Sequence, residues 1–172
     1  PLLEAESVMT LKRITPEEAN QLLADGYTYL DVRTEAEWAA GHPQGAFNIP
    51  ISLAGAAGMT PNAAFVSEVE KVFPKDAKLV VGCKAGGRSL RAAKLLIAAG
   101  FGDVVDQRAG YDGARDAFGK ITDAGWVEKG LPTDYGFGLA LDSNDPDTCF
   151  TVPLVPKQYA FRATGGAFRV YK

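Results

Sequence analysis

The sequence predicts an α/β fold, a parallel sheet flanked by helices on both faces, and three observations predict it. Strand-like and helix-like segments alternate over residues 10–132, the order that yields parallel strands joined by crossover helices. Two helix starts carry complete capping signatures. Near the middle, Leu79-Val80-Val81-Gly82 has the unbroken apolar character of a central strand. A chain of 172 residues, 47% apolar and 23% charged, suits one soluble globular domain with an extension.

The elements follow in order. Thr15-Pro16-Glu17-Glu18 opens the first helix: a capping threonine, proline at the first position and a glutamate closing the box. Ala19, Leu22 and Leu23 give helical spacing, and Gly26 ends it. Tyr27 to Val32 reads as a strand, and Thr34-Glu35-Ala36-Glu37 opens a short helix by the same logic. Phe47 to Pro50 is a short strand stopped by proline, and Asn62 to Phe73 places Phe65, Val66, Val69 and Val72 at helical spacing. After the central strand a helix runs from Ser89 to Gly100, then a strand around Val104-Val105-Asp106. Gly110-Tyr111-Asp112 leads into a short helix ending at Phe118, and Ala124 to Pro132 closes the domain.

Beyond residue 132 the texture changes. Residues 133–172 form a C-terminal extension in which Gly, Pro, Asp and Asn leave no room for a useful helix. Phe150-Thr151-Val152 is β-like, and two further pieces, Gln158 to Arg162 and Ala167 to Tyr171, flank Thr164-Gly165-Gly166 as a hairpin. Net charge is −3, which gives no general reason to expect nucleic acid. Residues 148–172 nevertheless carry Lys157, Arg162, Arg169 and Lys172 with no acid. A basic, aromatic tail on an acidic body suits docking on an acidic protein complex or peripherally on a lipid surface; a solvated arm fits equally well. No apolar run reaches the roughly 20 residues of a membrane span. No signal peptide is visible, and a start at Pro1 without Met leaves room for a targeting segment removed earlier.

Chemistry points to one loop. Cys83 sits where the central strand stops, followed by Lys84-Ala85-Gly86-Gly87-Arg88-Ser89 and a helix. A thiol facing a helix N-terminus meets free backbone N–H groups and the positive end of a dipole, and Lys84 and Arg88 add two cations. Such surroundings favour the nucleophilic thiolate. The other cysteine, Cys149, lies in a strand-like context and reads as packed. A Cys83–Cys149 bridge would silence the loop thiol, and two distant cysteines make no disulfide framework. Gly86 and Gly87 both read as residues that permit the loop's dihedrals.

These words, in this order, resemble the rhodanese-like (sulfurtransferase) family over residues 11–132: Leu30-Asp31-Val32-Arg33, Glu37-Trp38, Gly41-His42, Gly45 to Pro50, the loop Cys83 to Arg88, and Ala124-Gly125-Trp126. Met59-Thr60-Pro61-Asn62 and Val81-Gly82-Cys83 look most like the single-domain members of plants and algae, which implies a chloroplast location, stromal or thylakoid-associated, with the cytoplasm as the alternative. The resemblance implies a rhodanese-like sheet and a two-step sulfur shuttle through a Cys83 persulfide. It needs a small anionic sulfur donor such as thiosulfate, and neither cofactor nor metal. Lys84, Ala85, Gly86, Gly87, Arg88 and Ser89 would cradle the substrate, while Asp31, Arg33 and His42 would give structural support. Four residues separate Cys83 from Arg88. Related phosphatases use a loop one residue longer, so a phosphatase is the least favoured reading. A non-enzymatic scaffold that docks a larger assembly, for instance at a thylakoid complex, through residues 134–172 is the main alternative. One departure stands out: Ala109-Gly110-Tyr111-Asp112-Gly113-Ala114 lacks the tryptophan that many members carry after this Gly-Tyr, implying looser packing behind the loop or a more open rim.

Overall fold

The computed structural model describes residues 11–142 and 145–153. In chain order the elements are β1 (Lys12–Ile14), α1 (Pro16–Ala24), β2 (Thr28–Asp31), α2 (Glu35–Ala39), β3 (His42–Pro43), β4 (Phe47–Asn48), β5 (Ser52–Gly55) and β6 (Gly58–Pro61). They continue with α3 (Phe65–Val72), β7 (Lys78–Gly82), α4 (Gly87–Ala98), β8 (Asp103–Gln107), β9 (Ala114–Arg115), β10 (Ile121–Asp123), β11 (Thr133–Asp134), β12 (Gly136–Asp142) and β13 (Asp145–Pro153).

Five strands form one parallel sheet in the order β1-β8-β7-β2-β4. β7 lies at its centre, as its continuous apolar run requires. Strand alternation divides the core between two faces. Leu79 and Val81 of β7, with Leu30 of β2, face α3 and α4, meeting Phe65, Val69, Ala92, Ala93 and Leu96. Val80 and Tyr29 face the opposite side, with Ala19 of α1 and Trp126. Two hydrophobic layers thus clamp the strand that ends just before Cys83.

Local signals explain most boundaries. Thr15 and Thr34 each cap their helix, with Glu18 and Glu37 completing reciprocal capping boxes. The helix after the loop begins at Gly87, earlier than the predicted Ser89, because Gly86 takes a left-handed conformation (φ +86°) as its N-cap. β1 is a polar edge strand with little periodicity, and Ser52–Pro61 forms an exposed hairpin of small residues; neither carries a strand pattern that sequence alone reveals.

The predicted short helix ending at Phe118 is absent. Residues 114–123 instead form the β9–β10 hairpin, turned at Asp116, whose Oδ1 accepts from the N–H groups of Phe118 and Lys120. So short a segment cannot offset the cost of nucleating a helix, whereas an Asx turn satisfies its backbone directly. The chain returns so that the Trp126 N–H donates to Gly110 O at 3.0 Å and the Val127 N–H to Tyr111 O at 3.1 Å. Trp126 is fully buried edge-to-face against Tyr29, its indole N–H donating to Pro132 O. Packing behind the loop is therefore closed, with Tyr111 also buried.

Past β11, which pairs with β3, β12 and β13 form an antiparallel hairpin. It includes the β-like Phe150 to Val152, while the remainder of both strands lies in a stretch that reads as turn-rich. The hairpin expected at Gln158 to Tyr171 lies outside the described residues, and so does the basic tail from Lys157 onward. Cys149 stands on β13 opposite Leu141. No helix among the described residues is long and apolar enough to cross a membrane.

Candidate active site

Cys83 follows the last residue of β7 and is a free thiol, 2% exposed. Its Sγ accepts a hydrogen bond from the Gly86 N–H at 3.2 Å and donates to Ser89 Oγ at 3.4 Å. Ser89 is fully buried in the first turn of α4; its hydroxyl can rotate to donate back once the sulfur is ionised. The leading N–H groups of α4 have no intrahelical acceptors, and the N–H of its N-cap, Gly86, is the one that meets the sulfur.

The loop is braced from below by a segment distant in sequence. Tyr111 N–H donates to Cys83 O at 2.7 Å and Asp112 N–H to Lys84 O at 2.9 Å. The fully buried Gln107 holds Gly110 at both ends, accepting from its N–H at 2.5 Å and donating to its carbonyl at 3.1 Å. A Cβ at Gly110 would stand 2.4 Å from the Lys84 carbonyl, and one at Gly82 would strike the Tyr29 hydroxyl at 1.7 Å. On the other flank, Arg13 donates to Asp106 Oδ2 at 2.6 Å and to Gly86 O at 3.3 Å. Gly82, Gly110, Arg13 and Asp106 escape sequence reasoning because each acts through a partner brought near by the sheet, while Gln107 acts on Gly110 only three residues on, a contact that no local motif marks.

Arg88 forms a bidentate pair with Glu37: Nη1 donates to Oε2 and Nη2 to Oε1, both at 2.8 Å. Glu37 is held from behind by Thr34, whose N–H and hydroxyl both donate to Oε2. The Arg88 hydrogen bond holds the Glu37 carboxyl down at about 2, from an ordinary 4.5. The one available signal for Glu37 is its place in the Glu37-Trp38 word and in the capping box. Lys84 differs: its Nζ is 3.6 Å from Asp112 Oδ2, with both side chains largely exposed. Ala85 is exposed at the rim, and Gly87 has open space where a Cβ would be.

Asp31 and Arg33 make a buried pair beside this site. Arg33 Nε and Nη2 grip the carboxylate at 2.7 to 3.0 Å, Nη2 also donates to Gly41 O, and the guanidinium lies 4.2 Å above the Tyr111 ring. His42 is stacked on Trp38 at 3.8 Å, with Nδ1 2.8 Å from the Trp38 carbonyl, which requires the proton on Nδ1. Burial lowers its pKa and favours the neutral ring. Among the described residues, no group of three or more His, Cys, Asp or Glu side chains is placed to hold a metal ion.

The Glu37–Arg88 pair has a pH signature. Glu37 is lowered on folding, so its stabilisation is complete above about pH 4.5 and is lost as pH falls toward 2. Its size is at most about 3 kcal/mol. Urea unfolding should show Glu37→Gln less stable than the unaltered chain at pH 7, with the gap closing near pH 2.5. A gap independent of pH contradicts this origin.

The model of the rhodanese-like domain matches residues 15–117. Thiosulfate sulfurtransferase 16, chloroplastic, of Arabidopsis thaliana is 40% identical over 115 residues, 67% of this chain and 86% of that protein. Rhodanese-like domain-containing protein 15, chloroplastic, of the same plant is 33% identical over 130 residues, 76% of this chain; the chain spans only 65% of that relative's length. Among solved structures, that of Rv0390 from M. tuberculosis superposes with a TM-score of 0.61 at 30% identity, covering 71% of this chain and 96% of that one.

Proposed function

The chain belongs to the rhodanese-like family, and we propose that it is a sulfurtransferase carrying a sulfane sulfur on Cys83. The observation behind the reading is the placement of Sγ against the Gly86 N–H and Ser89 Oγ, at the start of α4. A terminal sulfur on Cys83 would lie against the same N–H groups, which suit an anion in a water-poor setting.

Two displacements complete the cycle. The Cys83 thiolate attacks the outer sulfur of thiosulfate, forming an S–S bond as the bond to the sulfite group breaks and sulfite leaves with the electron pair. A thiophilic acceptor, cyanide or a thiolate, then attacks the outer sulfur of the persulfide and releases the Cys83 thiolate. Charge and electrons balance without an external oxidant, and covalent catalysis divides one transfer into two easier ones. A persulfide donor enters the same cycle by giving up its terminal sulfur. Asp31 and Arg33 hold the segment after β2, and His42 stabilises its turn, leaving Cys83 as the reacting group. The chloroplastic relatives support the same compartment for this chain.

Incubation with thiosulfate followed by intact and peptide mass spectrometry tests the reading. One sulfur atom, about 32 Da, should appear on the Cys83 peptide and vanish on adding cyanide. An unmodified Cys83 after saturating thiosulfate and persulfide donors would falsify it.

A further inference from the structure

The two cations at the loop rim are held very differently. The Arg88 fork is spent on Glu37 through two 2.8 Å hydrogen bonds, and the Glu37 carboxylate is itself anchored by the Thr34 N–H at 3.1 Å and hydroxyl at 2.9 Å. Both side chains are mostly buried, 25% and 29% exposed, which limits screening by solvent. Lys84 is 57% exposed and faces an exposed carboxylate at 3.6 Å, a loose contact that an incoming anion can displace.

An anion with two charges and a tetrahedral set of oxygens would gain most from a free guanidinium fork. Here it would have to pull Arg88 away from a fixed carboxylate, or approach a neutralised pair. A persulfide brings a single charge on one sulfur and can be held by backbone N–H groups alone. We propose that Glu37 is a specificity-determining positioning residue: by occupying Arg88 it disfavours doubly charged tetrahedral anions relative to persulfide donors, and it leaves Lys84 as the rim cation that meets substrate. This rests on the sulfur-transfer reading for its choice of donor, but not for its geometry.

Sulfate, an unreactive tetrahedral dianion, is the probe, and the readout is protection of Cys83 from alkylation by iodoacetamide. Glu37→Gln should lower the sulfate concentration for half-protection about tenfold, the scale of one liberated charge interaction. Adding Arg88→Gln should abolish that gain. No tightening in Glu37→Gln, or tightening that survives Arg88→Gln, overturns the proposal. With donors, Glu37→Gln should lower KM for thiosulfate while kcat for thiosulfate and kcat/KM for cysteine persulfide stay within about twofold. A merely structural Glu37 would instead depress kcat for both. Should Glu37→Gln fail to fold, Lys84→Met offers the second arm: it should remove most of the salt dependence of sulfate protection, and a salt dependence that persists overturns the proposal. Sulfate protection is read by alkylation and requires no sulfur transfer, so a Cys83 that alkylates yet takes no sulfur from donors would defeat the proposed function and leave this result readable.

Discussion

Cys83→Ser should lose sulfur transfer completely, at least about 10³-fold below the unaltered protein, while remaining folded. A serine hydroxyl stays protonated near neutral pH and cannot form the S–S bond on which both displacements depend. Geometry alone would change little: serine is nearly isosteric, and its oxygen still faces the Gly86 N–H and Ser89 hydroxyl. Thiocyanate production from thiosulfate and cyanide measures the loss, and thermal unfolding should place stability within about 1 kcal/mol of the parent. The variant should also take up no sulfur by mass. Transfer surviving in Cys83→Ser would assign the carrier elsewhere, with Cys149 the first place to look.

Gly86→Ala should be nearly as damaging, for a different reason. Position 86 has φ +86°, a left-handed conformation costly for any residue with a Cβ. The added carbon would stand 1.8 Å from the Arg108 carbonyl oxygen. That carbonyl is backbone, and Arg108 is tied through its own N–H to Ile14 O at 3.0 Å, so relief must come from movement of the loop. Movement draws the Gly86 N–H off the sulfur. The expected result is a fall of about 10² in kcat/KM and a stability loss of about 3 kcal/mol. Gly87→Ala is the built-in control: beyond its chain neighbours and its own helix backbone, nothing lies within 4 Å of its would-be Cβ, and it sits at the first position of α4 with no positive φ. That substitution should leave stability equal or slightly improved, since alanine favours the helix. Equal damage at both positions would show that the loop tolerates no side chain for reasons other than this contact.

These adjacent glycines illustrate how far local reading reaches. Both were legible as loop residues, and nothing in Gly86-Gly87 distinguishes them. The distinction lies in Arg108, on a loop the sheet brings alongside. The same holds for Arg88, readable as a cation near a thiol but not as one engaged by Glu37, because the two meet only when α2 and the start of α4 converge. The absent tryptophan after Tyr111 suggested a loose site, whereas the β9–β10 hairpin returns Trp126 to Gly110 and Tyr111 by backbone hydrogen bonds. The segment before Phe118 reads as a short helix, yet Gly113, Asp116 and Gly119 supply turn chemistry in place of helical periodicity, and the hairpin follows them.

By itself the sequence determined the alternation of strand and helix, the central β7, both capping boxes, and a thiol at the junction of β7 and α4. Those features depend on neighbours within a few residues, where propensity, capping and hydrophobic period act directly. Tertiary structure alone decided which of the two glycines has no room for a side chain and which of the two cations is firmly paired. It also decided what braces the loop from beneath. Each of those outcomes depends on contacts between residues far apart in the chain, and their distances exist only once the parallel sheet has set its order and register.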